Sequence, residues 1–200
     1  MKRLLLAVAT LLLSSLALGQ DGAPVATFNP PAATVIFSNL GPAGKVYYKE
    51  AYLISGPKDQ ETSLQWIAAP FTPQTDTSIT GIQVAAFYYN SDPNTIAIAL
   101  YADDRGFPGS LIHSWTAQNL PTWPTCCPLL TLSAPSIPVT AGTQYWLAAQ
   151  TNRASETSDE AWAWNWSEAL GTIAEVEKNY TGWHIEDEIV PAFAVYGPPE

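Results

Sequence analysis

The sequence has few of the features that point to a familiar functional class. Only 13% of its residues are charged, with 8 Lys or Arg against 18 acidic residues, and it has two cysteines and two histidines. The few basic residues form no patch, so a nucleic acid or an anionic membrane surface would be repelled. Two cysteines without clustered histidines cannot complete a tetrahedral zinc shell. We therefore expect no nucleic-acid partner and no metal or other cofactor.

Catalytic motifs are equally scarce. Neither His113 nor His184 belongs to an HExxH arrangement, and the sequence has no GxSxG elbow and no phosphate-binding loop. The enzymatic alternative is a small jelly-roll glycoside hydrolase, in which two carboxylates face each other across a cleft. Glu160 and Glu168 are the pair that would serve. Because no surrounding pattern marks either residue as a catalytic acid, we expect a protein that is not an enzyme.

Long apolar runs are absent after residue 19. The chain opens with Lys2 and Arg3, continues with a short apolar run over 4–18 and reaches a small residue at Gly19. This order is typical of a secretory signal peptide over residues 1–19, cleaved before Gln20. The run is shorter than the ~20 residues that a bilayer-spanning helix needs. Loss of Lys2 and Arg3 takes the formal charge from −10 to −12. We expect a secreted protein, extracellular or periplasmic, with no membrane insertion after cleavage.

Turn-forming and aromatic residues are abundant. The sequence has 17 Pro, 12 Gly and 8 Trp, and 47% of its residues are hydrophobic, which is too many for a disordered chain. Residues 20–32 are rich in Pro and Ala and are predicted to be a flexible leader. No linker interrupts the remainder, so residues 33–200 are predicted to form one domain.

Short runs with strand composition alternate with turns along this domain. Several of them alternate apolar and polar residues with a period of two. About ten such runs predict an all-β protein, a two-sheet antiparallel β-sandwich resembling a jelly roll. The only helical candidate is 170–178, which Gly171 interrupts. The predicted strands are 34–38, 65–71, 78–89, 95–101, 111–116, 129–132, 144–151, 161–166, 182–185 and 192–196.

Asp103 and Asp104 precede Arg105 and Gly106, an order that fits either a calcium loop or a hairpin turn. The spacing lacks the alternating oxygen ligands of calcium loops. In a turn, Asp caps the backbone and Gly supplies a positive φ. We therefore predict a turn. The acidic run that follows His184 is likewise predicted to be a solvated turn.

The two cysteines, Cys126 and Cys127, are adjacent. Thiols seldom stay free in an oxidising compartment, so we predict a vicinal disulfide between them. Adjacent Cα atoms lie ~3.8 Å apart, below the usual disulfide range, so this bond strains the backbone. Such strain is often found at ligand-contacting loops. Two unpaired thiols or a disulfide-linked dimer are the alternatives.

Tryptophans give the strongest indication of binding. Trp162, Trp164 and Trp166 share one face of a predicted strand, where they either fill a core or stack on the apolar faces of sugar rings. Trp123 and Trp183 lie beside turns and are predicted to be exposed. These five are the predicted ligand-binding residues. Trp66 and Trp146 lie in apolar strands and are assigned to the core.

Several segments along the chain resemble one family of bacterial extracellular domains. They are 35–40, 69–72, 100–109, 140–146 and 191–197, which are collinear with the pattern of choice-of-anchor domains of the R type. The resemblance covers about residues 33–197 and lacks the C-terminal sorting tail of the family. It implies a β-sandwich similar to carbohydrate-binding domains and an extracellular address.

These observations favour a secreted, non-catalytic binding module whose partner is an extracellular glycan or cell-surface component. Two alternatives remain from other classes: a structural or cell-surface-associated protein acting by protein–protein contacts, and the glycoside hydrolase. An exposed aromatic groove would favour the first hypothesis, and an unpaired sheet edge would favour the structural protein. Two carboxylates facing across a cleft would favour the enzyme.

Overall fold

The computed structural model describes residues 33–58, 64–90, 93–122, 127–151, 159–177 and 181–199. Within these ranges all regular secondary structure is β-strand, as predicted, and no helix with the length and hydropathy to cross a bilayer is present. The strands are β1 (Ala33–Ser38), β2 (Tyr47–Ser55), β3 (Gln65–Phe71), β4 (Thr77–Val84), β5 (Ala86–Asn90), β6 (Thr95–Asp103), β7 (Pro108–Gln118), β8 (Leu130–Val139), β9 (Tyr145–Gln150), β10 (Asp159–Asn165), β11 (Leu170–Glu177), β12 (His184–Ile189) and β13 (Phe193–Pro199).

The strands form two antiparallel sheets packed as a sandwich. The smaller sheet has the order β1-β13-β4-β8, and the larger has the order β5-β10-β2-β3-β9-β6-β7. The larger sheet branches at β3. Ser55 of β2 pairs with Gln65 at the start of β3, and β11 pairs with the same Gln65 and with the residues up to Ala68. The branch separates a β5-β10-β2 arm from a β11-β12 hairpin.

The main core lies between the two sheets. Ile67, Ile98 and Leu147 of the larger sheet meet Ile82 and Phe193 of the smaller sheet, and all are at most 1% exposed. Alternate residues of each strand point to this layer, which is why the period-two pattern predicted the fold class. Burying such side chains stabilises each by about 1.5–3 kcal/mol.

A second buried layer lies on the outer face of the larger sheet. Trp146 is 0% exposed and packs with alanines, including Ala68 and Ala148, while Tyr101 and Trp183 pack over it. The small alanine side chains leave room for the indole on a surface that would otherwise face water. This confirms the prediction that Trp146 is a core residue. Trp66 is half-buried and packs against the main core.

Asp103 anchors the turn between β6 and β7. Its carboxylate accepts hydrogen bonds from Trp146 Nε1 (2.8 Å), Gln144 Nε2 (2.8 Å) and the Gly106 amide (3.0 Å). Burial by itself would raise the pKa of Asp103, but these three donors outweigh it and lower the pKa. Gly106 has a φ of 89°. The predicted turn is confirmed.

Three segments differ from what the sequence suggested. The helical candidate 170–178 is a strand over its described residues 170–177, because β11 pairs with β12 on one side and with β3 on the other. The acidic run after His184 lies in β12 rather than in a turn, although its carboxylates are exposed. The predicted strand 78–89 is two strands: the backbone of Ala85, bonded to Ala192 and Ala163, carries the chain from one sheet to the other.

We predict that Trp146→Ala destabilises the protein by about 3–5 kcal/mol, because it removes a fully buried indole and leaves a cavity. Urea unfolding should measure this as a lower midpoint with little change in slope. Phe107→Ala is the control, since Phe107 is 42% exposed in a turn and its removal should cost less than about 1 kcal/mol. Equal losses for the two variants would contradict the assignment.

Candidate functional site

Trp162 does not contact solvent, so its predicted role in ligand binding is wrong. The side chain is 0% exposed, its Nε1 donates a 2.9 Å hydrogen bond to the Ala192 carbonyl, and its ring meets Phe193 edge-on. The cause is the position of β10, which lies between β5 and β2 with its inner face against the smaller sheet. Of the two interpretations of the Trp162 face, core packing holds for this residue.

Trp164 is half-buried among tyrosines. Its ring is parallel to Tyr48, with centroids 6.4 Å apart, and tilted against Tyr52 at 5.9 Å. Its Nε1–H is buried and has no hydrogen-bond partner in the described structure. Trp164 lines a groove of about 310 Å³, which we call the Trp164 groove, with Lys49, Glu50, Ala51, Leu53, Tyr89 and Ala161.

Trp166 is the most exposed of the three, with 36% of its surface accessible. It falls just beyond the end of β10, in a turn that the Asn165 side chain organises. The Asn165 amide donates to the carbonyls of Ala169 (3.0 Å) and Val190 (2.8 Å), and its oxygen accepts from Ser167 and from the Ala169 amide. Asn165 is 2% exposed, so this turn is fixed from inside.

The loop before β2 holds the Trp166 ring in place. Gly41 lies so close that a Cβ added there would sit 2.5 Å from Cγ of Trp166, a distance that real Cβ atoms do not show. The ammonium of Lys45 lies 5.6 Å from the centroid of the ring, within the range of a cation–π contact. The indole is therefore exposed to solvent but held in one orientation.

Trp166 borders a cleft of about 310 Å³, which we call the Trp166 cleft. Its lining is mainly apolar with a few polar side chains, and it consists of Phe37, Asn39, Pro70, Asn165, Trp166, Ser167, Ala169, Thr172 and Val190.

The cleft opens where the pairing of β3 with β11 stops. The ladder covers only Gln65 to Ala68 of β3, and beyond it Pro70 and Thr172 both line the cleft. A proline cannot donate to a ladder and is found where one side of a strand is unpaired. The branch of the larger sheet thus creates the opening.

Few polar groups of the Trp166 cleft remain available to a ligand. The amide of Asn165 is fully occupied. Asn39 donates to the Pro191 carbonyl and accepts from the Phe193 amide, each at 2.8 Å, which leaves one N–H and one lone pair. Ser167 Oγ donates to Asn165 and can still accept, and the side chain of Thr172 lies on an exposed part of β11. The cleft thus offers an indole face and three uncharged polar side chains.

The other predicted residues do not join this cleft. Trp183 is half-buried, contacts Tyr101 edge-on at 6.1 Å and helps to bury Trp146. Trp123 and Cys126 lie outside the described residues. Cys127 is half-buried beside the cluster that contains Phe87. The described tryptophans therefore serve packing and two separate clefts rather than one continuous surface.

The suspected carboxylate pair does not face a common cleft. Glu160 is 0% exposed, and its Oε1 accepts a 3.0 Å hydrogen bond from the Thr95 amide. Glu168 is exposed in the turn after β10, with a φ of 55°, and lines neither cleft. No group of three or more His, Cys, Asp or Glu in the described ranges is arranged to hold a metal.

Glu175 belongs to a polar cluster that sequence reasoning missed. It is 8% exposed, accepts a hydrogen bond from Gln65 and lies 3.8 Å from His184 Nε2, which is also 3.8 Å from Glu186. Burial raises the pKa of Glu175, and the charge of Glu177 raises it further, while Gln65 and His184 oppose the shift. Nothing in the local sequence distinguishes this residue from the neighbouring exposed acids.

Comparison of the chain with protein-family models and with curated proteins found no match.

We predict that Glu175→Gln changes how stability depends on pH. The raised pKa means that the folded state holds the proton more tightly than the unfolded chain, so ionising Glu175 costs stability. The cost begins as pH rises past the ordinary value of 4.5 and is complete above the raised pKa. As the pH rises from about 3.5 to 7, the unfolding free energy of the wild type should therefore fall relative to that of the variant.

The difference in unfolding free energy between the wild type and Glu175→Gln should keep its sign between about 0.1 and 1 M salt. Burial rather than long-range charge is the main cause of the raised pKa of Glu175, and salt does not screen burial. A difference that is constant with pH would contradict the assignment.

Proposed function

We propose that this protein is a secreted, non-catalytic binding module that holds one sugar unit of an extracellular glycan in the Trp166 cleft. The observation that carries the proposal is the exposed Trp166 ring, which Gly41 and Lys45 hold against the cleft. A preorganised aromatic ring costs little entropy when a ligand stacks on it.

The chemistry of the cleft supports a sugar. The Trp166 indole, with Phe37 and Pro70, offers apolar surface to the C–H face of a sugar ring, and Asn39, Ser167 and Thr172 can bond its hydroxyls. The volume of about 310 Å³ is near the lower end of ligand sites, which suits a single ring.

Affinity should be modest and largely independent of salt. Stacking removes apolar surface from water at about 25 cal/mol per Å², and part of this gain is lost in immobilising the ligand. Micromolar to millimolar dissociation constants are the expected range. The available polar groups of the cleft are uncharged, so screening by salt should have little effect on the affinity for the sugar.

The extracellular address is part of the proposal. It rests on the signal-like residues 1–19 and on the resemblance of about 33–197 to choice-of-anchor domains. The sandwich architecture is compatible with that resemblance. Secretion would also place Cys126 and Cys127 in an oxidising compartment.

The structure bears differently on the two alternatives, the glycoside hydrolase and the structural protein. The glycoside hydrolase loses its suspected pair, since Glu160 has no access to solvent. The structural protein acting by protein–protein contacts is favoured by an unpaired sheet edge at β7, described below.

We predict that Trp166→Ala weakens glycan binding at least tenfold while the protein still unfolds in one cooperative transition, because the indole lies outside the main core. The probes are soluble hexasaccharides of the cello, xylo, manno and chito series, titrated to about 10 mM by calorimetry and by quenching of Trp fluorescence. Gly41→Ala keeps the indole, but its Cβ would clash with the Lys45 carbonyl as well as with the Trp166 ring, so the loop must shift and binding should weaken as well.

Phe107→Ala is the matched control, because it removes an exposed aromatic ring that lines neither cleft. It should bind like the wild type. The proposal fails if no hexasaccharide binds at these concentrations, or if Trp166→Ala binds as tightly as the wild type.

We also propose the vicinal disulfide between Cys126 and Cys127. The exported protein should run as a monomer without reductant on a denaturing gel, and denaturation should release no titratable thiol. Two reactive thiols, or a dimer that reductant dissolves, would show that the bond is absent.

A further inference from the structure

The described sheets have five edge strands, and four of them are protected against pairing. The last strand of the smaller sheet, β8, carries Pro135 and Pro138, which cannot donate to a neighbour. The edge of β5 is covered in part, since Tyr88 forms a bridge with Thr122. The acidic residues of β12 repel another strand, and two register shifts interrupt the six-residue β1. Natural proteins use such devices to block edge-to-edge association.

The fifth edge, β7, has none of these devices from His113 to Gln118. It spans eleven residues and pairs with β6 alone, with an unbroken register from His113 to Gln118. Beyond Pro108 it contains no proline and no charged residue, and Leu111 is 55% exposed. None of the described backbone hydrogen bonds outside the β6–β7 ladder reaches residues 110–118. Its outer backbone N–H and C=O groups are therefore available to pair with an antiparallel strand.

The stretch of sequence that contains β7 has no charged residue. No Asp, Glu, Lys or Arg occurs between Gly106 and Asn152, a stretch that includes β7, β8 and β9, although the whole chain carries −10. A hydrogen bond from Trp115 Nε1 to the Ser133 carbonyl (2.7 Å) connects β7 to β8 of the other sheet. Two copies of an acidic protein repel each other over most of their surfaces, and the residues of β7, β8 and β9 add no charge to that repulsion.

We propose that β7 pairs antiparallel with β7 of a second copy across a two-fold axis at Thr116. A two-fold contact uses the same patch on both subunits, and an antiparallel strand pair satisfies that condition by itself. This register sets Thr116 opposite Thr116 of the partner subunit and Ser114 opposite Gln118 of the partner subunit. Threonine pairs of this kind are favourable across strands. On the inner face, the large Trp115 falls opposite the small Ala117 of the partner subunit.

The contact is a weak one. A single strand pair buries less than the roughly 1,600 Å² of a standard interface, which places the dimer among transient associations. Sedimentation velocity from about 1 to 300 µM should show the mass rising from one chain toward two, with a dissociation constant in the micromolar range. A mass that stays at one chain, or that grows without limit, overturns the proposal.

Substitutions at Thr116 test the two-fold axis. Thr116 is exposed, so Thr116→Lys should leave thermal unfolding unchanged and raise the dissociation constant at least tenfold, because it sets two like charges opposite each other. Thr116→Glu should do the same. Mixing the two variants should restore association as a mixed dimer, detected by native mass spectrometry. Ser136→Lys on the proline-containing β8 is the matched control and should dimerise like the wild type.

The register can be tested without Thr116. Ser114→Lys combined with Gln118→Glu sets opposite charges across the axis and should keep the dimer, whereas Ser114→Lys with Gln118→Lys should abolish it. Equal association of these two double variants would overturn the pairing. So would a protein that stays monomeric but captures an added peptide with the sequence of β7, since the edge would then serve a different partner.

Discussion

The pairing of β3 with three strands, β2, β9 and β11, is the constraint on which the rest of the structure depends. A strand has only one row of hydrogen-bonding groups on each side, so three neighbours leave it with short ladders. Both β2 and β11 pair with Gln65, β11 continues to Ala68, and beyond Ala68 the only described partner of β3 is β9. The Trp166 cleft lies where β3 is left unpaired on one side, with Pro70 and Thr172 in its wall. The cleft is therefore a consequence of sheet topology, and side chains only refine it.

The sequence was informative where the physics is local. Alternation along a strand identified the inner faces, and the Asp and Gly of the β6–β7 turn identified a backbone that needs a carboxylate cap and a positive φ. It was less informative about tryptophans that look alike. Trp162 and Trp166 lie four residues apart in a repeating pattern, yet one is 0% and the other 36% exposed. What separates them is the end of β10, which depends on Asn165 and its bond to the distant Val190.

Long-range pairing also explains why β2 was not among the predicted strands. The segment that became β2 contains Lys49 and Glu50 in its middle and has no clean alternation, so it resembled a loop. It is a strand because β10 pairs with it over most of its length, a contact between residues more than a hundred positions apart. The same applies to β11, whose few β-branched residues were outweighed by Gly171 until β3 and β12 supplied ladders on both sides. Tertiary pairing overrides local preference in strands more readily than in helices.

The two proposed surfaces share no residue, which bears on how they would work together. Trp166 lies beyond the end of β10, and no residue of β7 lines the Trp166 cleft. Pairing at β7 therefore uses none of the residues of the cleft in either copy. A single cleft that stacks one sugar ring has limited affinity, whereas two clefts joined through β7 can engage one polymer chain or a glycan-coated surface together. The gain then comes from effective concentration, without any new contact to the sugar. Weak sugar binding in the cleft and weak pairing at the β7 edge would thus suit a repetitive ligand, because one contact can dissociate and form again while the other remains bound.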